Sequence, residues 1–484
     1  MRLGVLAERL ASVHGSARMV TEPDGALDLT FEQASDLVNR WAGGIAARIG
    51  PGDRVVLAVP NGYALLLLCL AVSRAGGIAV PVNARMRGDE IEHVVEDSGA
   101  ALVIRDAADV EGSPPLTVAA PGDEDDVAAI FYTSGTTGKP KGARLTHRGL
   151  IGSLGAGVLY PRALRRDEAV LGLPVAHIMG FAVLLGMASA GIPVYLLAKF
   201  DAGRVLDAIE ERRATLFVGV PAMYRMMLEA GAESRDLRSV RVWGSGADVM
   251  PRDLAKCFQK MGATATLPLL GASIGEAMFF EGYGLVESGG GALVRISTPG
   301  PDLFGDGMGI PVPGYRVRVA GDDGEEVATG AVGELWLKGP GVLRGYHDDP
   351  EATADTVTDD GWLRTGDLAR RGPLGSIAFA GRKKDVVKVG GYSVFAAEVE
   401  AVLQEHPDVL EAAVLGLLDA TLGEVPVACV RVRDGATTTG DDLVAWARDA
   451  LAPYKAPRRI VVLDELPRTG TQKVQKRELL KYFP

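Results

Sequence analysis

Short apolar runs alternate with stretches of helical periodicity through much of the chain. Val55 to Val59 is a continuous apolar run of strand length, Tyr63 to Arg74 reads as a helix, and Ile78 to Val82 as the next strand. Glu90 to Ser98 is again helical and Ala101 to Ile104 again a strand. This strand–helix–strand rhythm predicts parallel sheets covered by helices. It recurs at Pro193–Leu197, Arg204–Arg213 and Thr215–Val220. After about Gly309 the pattern changes to strict alternation, at Tyr315–Val319 and Gly333–Lys338, with Gly, Asp and Pro turns between. A small antiparallel β region or barrel is expected there, over about 309–381. From Gly381 onward a helix at Phe395–Glu405, strands at Ala412–Gly416 and Val427–Val432, and a helix at Asp441–Leu451 suffice for a small α+β domain. The expected fold class is therefore α/β: a large N-terminal part of parallel-rich sheets with helices and a β-barrel-like region, then a small α+β C-terminal domain.

Length and charge narrow the picture. A chain of 484 residues exceeds one ordinary hydrophobic core, so two or more domains are expected. With 51 basic and 62 acidic residues the net charge is −11, which gives no general attraction to nucleic acid or anionic membrane. The most apolar stretch, Tyr63–Val82, is broken by Arg74 and Gly76-Gly77, so no membrane span is expected. The opening residues carry charges before any long apolar run and do not resemble a secretory signal. Cys69, Cys257 and Cys429 have neither metal-ligand nor redox-motif spacing, which fits buried thiols in a reducing cytoplasm.

The densest chemistry lies at Tyr132-Thr133-Ser134-Gly135-Thr136-Thr137-Gly138-Lys139-Pro140-Lys141-Gly142, directly after the strand-like Ala128–Tyr132. Glycines let backbone N–H groups turn toward an anion, hydroxyls donate to phosphate oxygens, and lysines add charge. A polar surface turn is the plain alternative, but the run is long and specific. It is not a Walker loop: the spacing is wrong, and Pro140 between the lysines opposes a following helix.

On this loop the chain resembles the adenylate-forming superfamily of acyl-CoA synthetases, luciferases and nonribosomal adenylation domains, and further motifs follow in that family's order. The resemblance implies ATP or an acyl-adenylate as ligand, Mg²⁺, and coenzyme A as thiol. It implies nucleotide contacts from Thr133, Ser134, Gly135, Thr136, Thr137 and Lys141. In Gly282-Tyr283-Gly284-Leu285-Val286-Glu287 it implies Tyr283 and Gly284 against adenine and Glu287 as the metal ligand. Gly244, Ser245 and Gly246 would form the nucleotide floor. Asp367 in Trp362–Leu368 would accept from both ribose hydroxyls, backed by Arg382. His177, in Pro174–Phe181, would stand beside the acyl and thiol path. The family's hinge falls on Lys384, so the implied division is a large nucleotide- and acyl-binding domain at 1–383 and a small mobile domain at 384–484. One pose of that domain would present Lys473 for adenylation. The other would present Lys388–Tyr392, where Gly391 leaves pantetheine a passage, for thioester formation. Without the resemblance, a solvated basic turn would describe Lys383, Lys384 and Lys388 equally well.

Two positions depart from the family pattern. Gln472 stands where glycine usually precedes the adenylation lysine, and Val286 stands where a threonine hydroxyl usually faces the α-phosphate. Bulk beside Lys473 restricts the backbone, and misplacing a transition-state contact of this kind costs about 3–4 kcal/mol. The expectation is a ligase with impaired adenylation and intact thioesterification, taking an acyl-adenylate supplied by a separate enzyme. The apolar stretch Met261–Phe280 and the small residues Ser288–Gly291 suggest a bulky hydrophobic acid, with a buried structural insert as the alternative. An ordinary two-step acyl-CoA synthetase and a catalytically silent adenylate binder remain open beside this reading. Luciferase-like oxidation stays open on the motifs, although no feature calls for oxygen.

Overall fold

The structure, a computed structural model, describes all residues except 25–26, 134–139, 153–165, 268–271, 299–306, 373–374, 469–473 and 484. The chain forms two compact units, one of residues Met1–Arg316 with Leu337–Leu363, the other of Val317–Trp336 with Arg364–Pro484.

The first unit runs α1 (Leu6–His14), β1 (Arg18–Thr21), β2 (Asp28–Thr30), α2 (Phe31–Ala46), β3 (Arg54–Leu57), α3 (Tyr63–Arg74), β4 (Ile78–Pro81), α4 (Gly88–Ser98), β5 (Leu102–Ile104), β6 (Val127–Thr133), β7 (Lys141–Thr146) and α5 (His147–Ile151). It continues through β8 (Ala169–Leu171), α6 (Ile178–Ala190), β9 (Val194–Leu196), α7 (Ala202–Arg212), β10 (Leu216–Gly219), α8 (Pro221–Glu229), β11 (Val242–Gly246) and α9 (Arg252–Met261). Strands β12 (Ala265–Leu267), β13 (Ala272–Ile274), β14 (Met278–Leu285), β15 (Gly290–Ser297) and β16 (Gly307–Pro311) precede α10 (Pro350–Thr356).

One sheet has the order β5-β3-β4-β6-β7. Its first four strands are parallel and β7 folds back antiparallel on β6. A second sheet runs β16-β15-β14-β11-β10-β8-β9-β1-β2, parallel from β14 to β1 and antiparallel at both ends. Helix boundaries follow local chemistry. Thr30 and Gln33 make a reciprocal capping box on α2, Asp201 caps α7, and left-handed Gly191 ends α6. Behind β10 and β11, Phe217, Tyr224, Trp243 and Phe258 form an edge-to-face aromatic core, with Phe279 tilted against Tyr224. Each such pair adds about 0.5–1.5 kcal/mol beyond area burial. Tyr224 also donates to the Gly244 carbonyl at 2.6 Å, which anchors β11 from below.

The stretch from Met261 to Phe280 spans several elements, and residues 268–271 of it lie outside the described residues. Met261 ends α9, β12 and β13 pair as a separate antiparallel hairpin, and Ile274 is half-exposed.

Most residues of β17 (Arg316–Ala320), β18 (Val332–Lys338), β19 (Leu363–Arg371) and all of β20 (Ile377–Arg382), adjacent in that order, belong to the second unit. These strands form an open strip. Among the described residues the expected barrel is not closed: β17 and β20 lie at opposite ends of this four-strand order and do not pair with each other, and four strands are too few for the tilt and stagger that closure requires. Next come β21 (Val386–Val389), β22 (Tyr392–Phe395), α11 (Ala396–Gln404), β23 (Val409–Asp419), β24 (Gly423–Val432), α12 (Gly440–Ala450), β25 (Ile460–Val462) and α13 (Lys476–Leu479). The order is β22-β21-β24-β23 with β25 beside β24. Val399, Leu403, Leu443 and Ala447 pack on one face of this sheet, and Leu466, Leu479 and Phe483 on the other. Among the described residues no helix is long and apolar enough to cross a membrane.

Candidate active site

The phosphate-loop motif joins the antiparallel strands β6 and β7. Thr133 and Lys141 face each other across its base, while Ser134, Gly135, Thr136 and Thr137 lie outside the described residues. The chain returns from the loop as a strand, not as the helix a Walker loop requires. Tyr132 fixes the incoming strand by donating to Asp97 at 2.6 Å. On the outgoing strand Lys141 Nζ is 3.0 Å from Asp349 and stands 5.7 Å from the centre of the Tyr346 ring.

The expected floor residues Gly244, Ser245 and Gly246 lie on β11. Its pleat sends Trp243 and Ser245 one way and Gly244 and Gly246 the other. Ser245 is buried, and its hydroxyl has no partner among the described residues. A Cβ at Gly244 would lie 2.9 Å from Val218, and one at Gly246 would lie 2.9 Å from the Gly282 carbonyl and 3.4 Å from Met179. Next to β11, β14 carries Tyr283 and Gly284, and the β14–β15 register shifts between these two residues. Such a bulge re-aims the neighbouring side chains. Gly284 is obligatory, because a Cβ there would lie 1.5 Å from the Gly290 carbonyl.

Glu287 follows in a short turn with Val286. That turn is held by Ser288, whose hydroxyl accepts from Leu285 N, and by Tyr315, which donates to the Ser288 carbonyl at 2.6 Å. The Tyr346 hydroxyl donates to Glu287 Oε1 at 2.8 Å, and the carboxylate has no cationic partner among the described residues. A partly buried carboxylate with one oxygen uncommitted suits a hard divalent cation, which needs one or two protein carboxylates beside phosphate and water oxygens.

His177 is the N-cap of α6. Its Nδ1 accepts from Met179 N at 3.3 Å, so the ring is oriented by the helix it starts. The preceding loop is pinned by Asn61, which accepts from Val175 N at 2.7 Å and donates to the Ala198 carbonyl at 3.0 Å. Beyond it Met179, Val183, Val218, Ala222 and Ala247 gather on Leu173, Val220 and Met223 as an apolar cluster.

In the second unit Asp367 and Arg382 are cross-strand neighbours on β19 and β20. Asp367 is buried, and Arg382 Nε reaches its carboxylate at 3.2 Å. Gly366, at φ +70°, donates to Glu334 at 3.0 Å, and Lys383 pairs with the same Glu334. Lys384 lies in the turn after β20, where burial and the nearby Arg382 guanidinium hold it below the usual lysine range. Lys388 is on β21 and donates to Ser393 at 2.7 Å. Gly390 and Gly391 are the two turn residues of the β21–β22 hairpin, with φ of +55° and +87°. Both signs positive is the geometry of a tight hairpin that glycine adopts without strain. Nothing lies within 4 Å of a Cβ built on Gly391, so in this unit backbone conformation is what requires the glycine. Lys473 and Gln472 lie outside the described residues, but their loop is closed at its base by pairing of Arg468 with Val474.

Motif reading missed Tyr346, Asp349 and Asn61. Asp349-Pro350 is a helix-start signal, cap then N1 proline, and it could have drawn attention to this segment. No local signal marks Tyr346 or Asn61, whose partners are distant in sequence.

Comparison with known proteins agrees with this geometry. Residues 7–347 match the family described as AMP-binding enzyme, and residues 398–473 match the AMP-binding enzyme C-terminal domain. A feruloyl-CoA synthase of Amycolatopsis sp is 37% identical over 491 residues, covering 95% of each chain. The long-chain-fatty-acid–CoA ligase FadD13 of Mycobacterium tuberculosis is 30% identical over 512 residues, covering 99% of this chain and 98% of its own. The crystal structure of ATP-bound MatB from Rhodopseudomonas palustris superposes with a TM-score of 0.87 at 28% identity, covering 100% of this chain and 99% of that one. The chain belongs to the AMP-binding enzyme family and is an adenylate-forming acid–thiol ligase.

Proposed function

We propose that this ligase converts a bulky hydrophobic carboxylic acid to its coenzyme A thioester, and that its thioester half-reaction outpaces its adenylation half-reaction. The observation that carries the substrate reading is the apolar cluster of Met179, Val183, Val218, Ala222 and Ala247 beside the glycines of β11. An apolar wall with few polar groups selects by size and hydrophobicity. The similarity to a feruloyl-CoA synthase and to a long-chain fatty-acid ligase supports the same class.

In the first half-reaction a carboxylate oxygen attacks the α-phosphorus of ATP, a new P–O bond forms and pyrophosphate leaves. In the second, the coenzyme A sulfur attacks the acyl carbon, AMP leaves, and the thiol proton passes to solvent or a nearby base. Within the first unit Thr133, Lys141 and the loop between them, Ser134–Thr137 included, would hold phosphates. Gly244, Ser245, Gly246, Tyr283 and Gly284 would hold adenine. Glu287 would hold Mg²⁺, which when bound neutralises phosphate charge. Within the second unit Asp367 and Arg382 would hold ribose, Lys473 would bridge carboxylate and α-phosphate, and Lys388 and Gly391 would serve the thiol step, with Lys384 as the hinge. His177, oriented as a helix cap, would line the acyl path.

Gln472 before Lys473 and Val286 in place of a hydroxyl are what support slow adenylation. The same reading expects the acyl-adenylate to be supplied by a separate enzyme and places the protein in the cytoplasm, with ATP and coenzyme A. Similarity to CoA synthetases over nearly the whole chain favours the second reading, an ordinary two-step synthetase.

One experiment separates the two readings. Free acid plus ATP is compared with synthetic acyl-adenylate, each with coenzyme A, across acids from acetate to aryl and long-chain acids. The proposal expects fast thioester formation from the adenylate, slow formation from the free acid, and gain of adenylation in Gln472→Gly. Equal rates from both starting points would establish the two-step synthetase instead.

A further inference from the structure

The described part of the first unit holds a connection that neither motif reading nor family membership assigns. The segment Leu343–Asp349 runs between the stem of the phosphate loop and Glu287. On one side His347 N donates to the Gly142 carbonyl at 2.7 Å, Ala143 pairs with Tyr346, and Lys141 is engaged by Asp349 and the Tyr346 ring. On the other side Leu343 N donates to the Glu287 carbonyl at 2.9 Å, and the Tyr346 hydroxyl donates to the Glu287 carboxylate at 2.8 Å. Tyr346 therefore touches both the phosphate-loop lysine and the acidic side chain, through different parts of one residue. Its backbone is fixed as well, since Tyr346 N donates to Thr353 at 2.9 Å on the helix that Asp349 caps. Only 9% of the residue is exposed, so the ring has little freedom to leave.

We infer that Tyr346 is a positioning residue that couples phosphate binding to cation binding. Its hydroxyl commits Glu287 Oε1 and leaves Oε2 for the cation, while its ring face sets the place of the Lys141 ammonium. A hydrogen bond from outside the ligand set fixes the orientation of a metal-binding carboxylate, and losing such a partner typically costs about tenfold or more in metal affinity. A cation over an aromatic face is worth about 0.5–1 kcal/mol at a part-exposed site, a factor of about two to five. The inference rests on the proposed role of Glu287 as cation ligand.

Calorimetric titration of the full chain with ATP, at a series of free Mg²⁺ concentrations and in EDTA, reads the two couplings separately. Tyr346→Phe keeps the ring and removes the hydroxyl. It should raise the Mg²⁺ concentration that half-saturates ATP binding about tenfold and leave ATP affinity in EDTA unchanged. Tyr346→Leu should repeat that change and also weaken ATP binding in EDTA by about two- to fivefold. A wild-type Mg²⁺ requirement in Tyr346→Phe, alongside a raised one in Glu287→Gln, overturns the inference but leaves the Glu287 assignment standing. A wild-type requirement in Glu287→Gln removes that assignment and the inference with it. If the nucleotide-free melting temperature of Tyr346→Phe falls by more than about 5 °C, the bond serves folding and the inference also fails.

Discussion

Replacing Asp367 by asparagine should reduce the enzyme's sensitivity to the ribose 2′-hydroxyl while barely affecting its fold. Asp367 is only 3% exposed, and its carboxylate faces Arg382 at 3.2 Å from the neighbouring strand. Asparagine fits the same volume and keeps one acceptor but loses the charge. A hydrogen bond to a charged group is worth about 1.5–3 kcal/mol. At about 1.4 kcal/mol per decade, ATP affinity should fall by about 10- to 150-fold. Stability should change by less than about 1 kcal/mol, because Arg382 is 38% exposed and water can take the place of its lost partner. Calorimetric titration with ATP and 2′-deoxy-ATP, for wild type and Asp367→Asn, forms a double-mutant cycle. Wild type should prefer ATP, and the variant should show a clearly smaller preference. If Asp367→Asn keeps the full wild-type preference, the carboxylate does not read that hydroxyl, and the proposed nucleotide role of β19 falls.

Two further outcomes follow from the geometry. Gly391→Ala forces a side chain into φ +87° at a cost of about 1–2 kcal/mol, with nothing for the new methyl to strike. Thioester formation from supplied adenylate should fall while ATP–pyrophosphate exchange holds, and equal loss of both would refute a thiol-step role. His147 is buried, accepts from Leu3 N at 3.3 Å through Nδ1, and burial with the nearby Arg2 holds its pKa down at about 4. Its folded value lies below the unfolded one, so the neutral ring stabilises fully above about pH 6.5 and that stability is lost as pH falls toward about 4. Denaturant midpoints of wild type should drop across this window, and those of His147→Asn should drop less. Parallel curves would rule the histidine out as the cause.

Local features read correctly where burial and propensity agree. The helix expected from Tyr63 to Arg74 has those bounds, since its apolar run is buried on every side and Gly76-Gly77 stops it. The strands at Ile78, Thr215 and Val427 differ from expectation by only a few terminal residues, where a ladder bond and not hydropathy decides the end. The alternation at β17 and β18 pointed to an antiparallel region, and β19 and β20 do pair antiparallel, but closure was not legible, because pairing between end strands depends on twist and length rather than on the pattern within a strand. The site divides in the same way. Gly284 and Asp367 sit in motifs that sequence alone singles out, and the fold constrains each: a carbonyl 1.5 Å from a would-be Cβ, and an arginine directly across the ladder. Tyr346 carries no such mark. It lies 59 residues from Glu287, and its value comes from meeting two partners that only the folded sheet brings together. A hydroxyl on a carboxylate and a ring under a lysine are ordinary contacts taken singly. Their convergence on one side chain links the phosphate-loop stem to the acidic turn, and a linkage of that kind is a property of tertiary structure rather than of any motif.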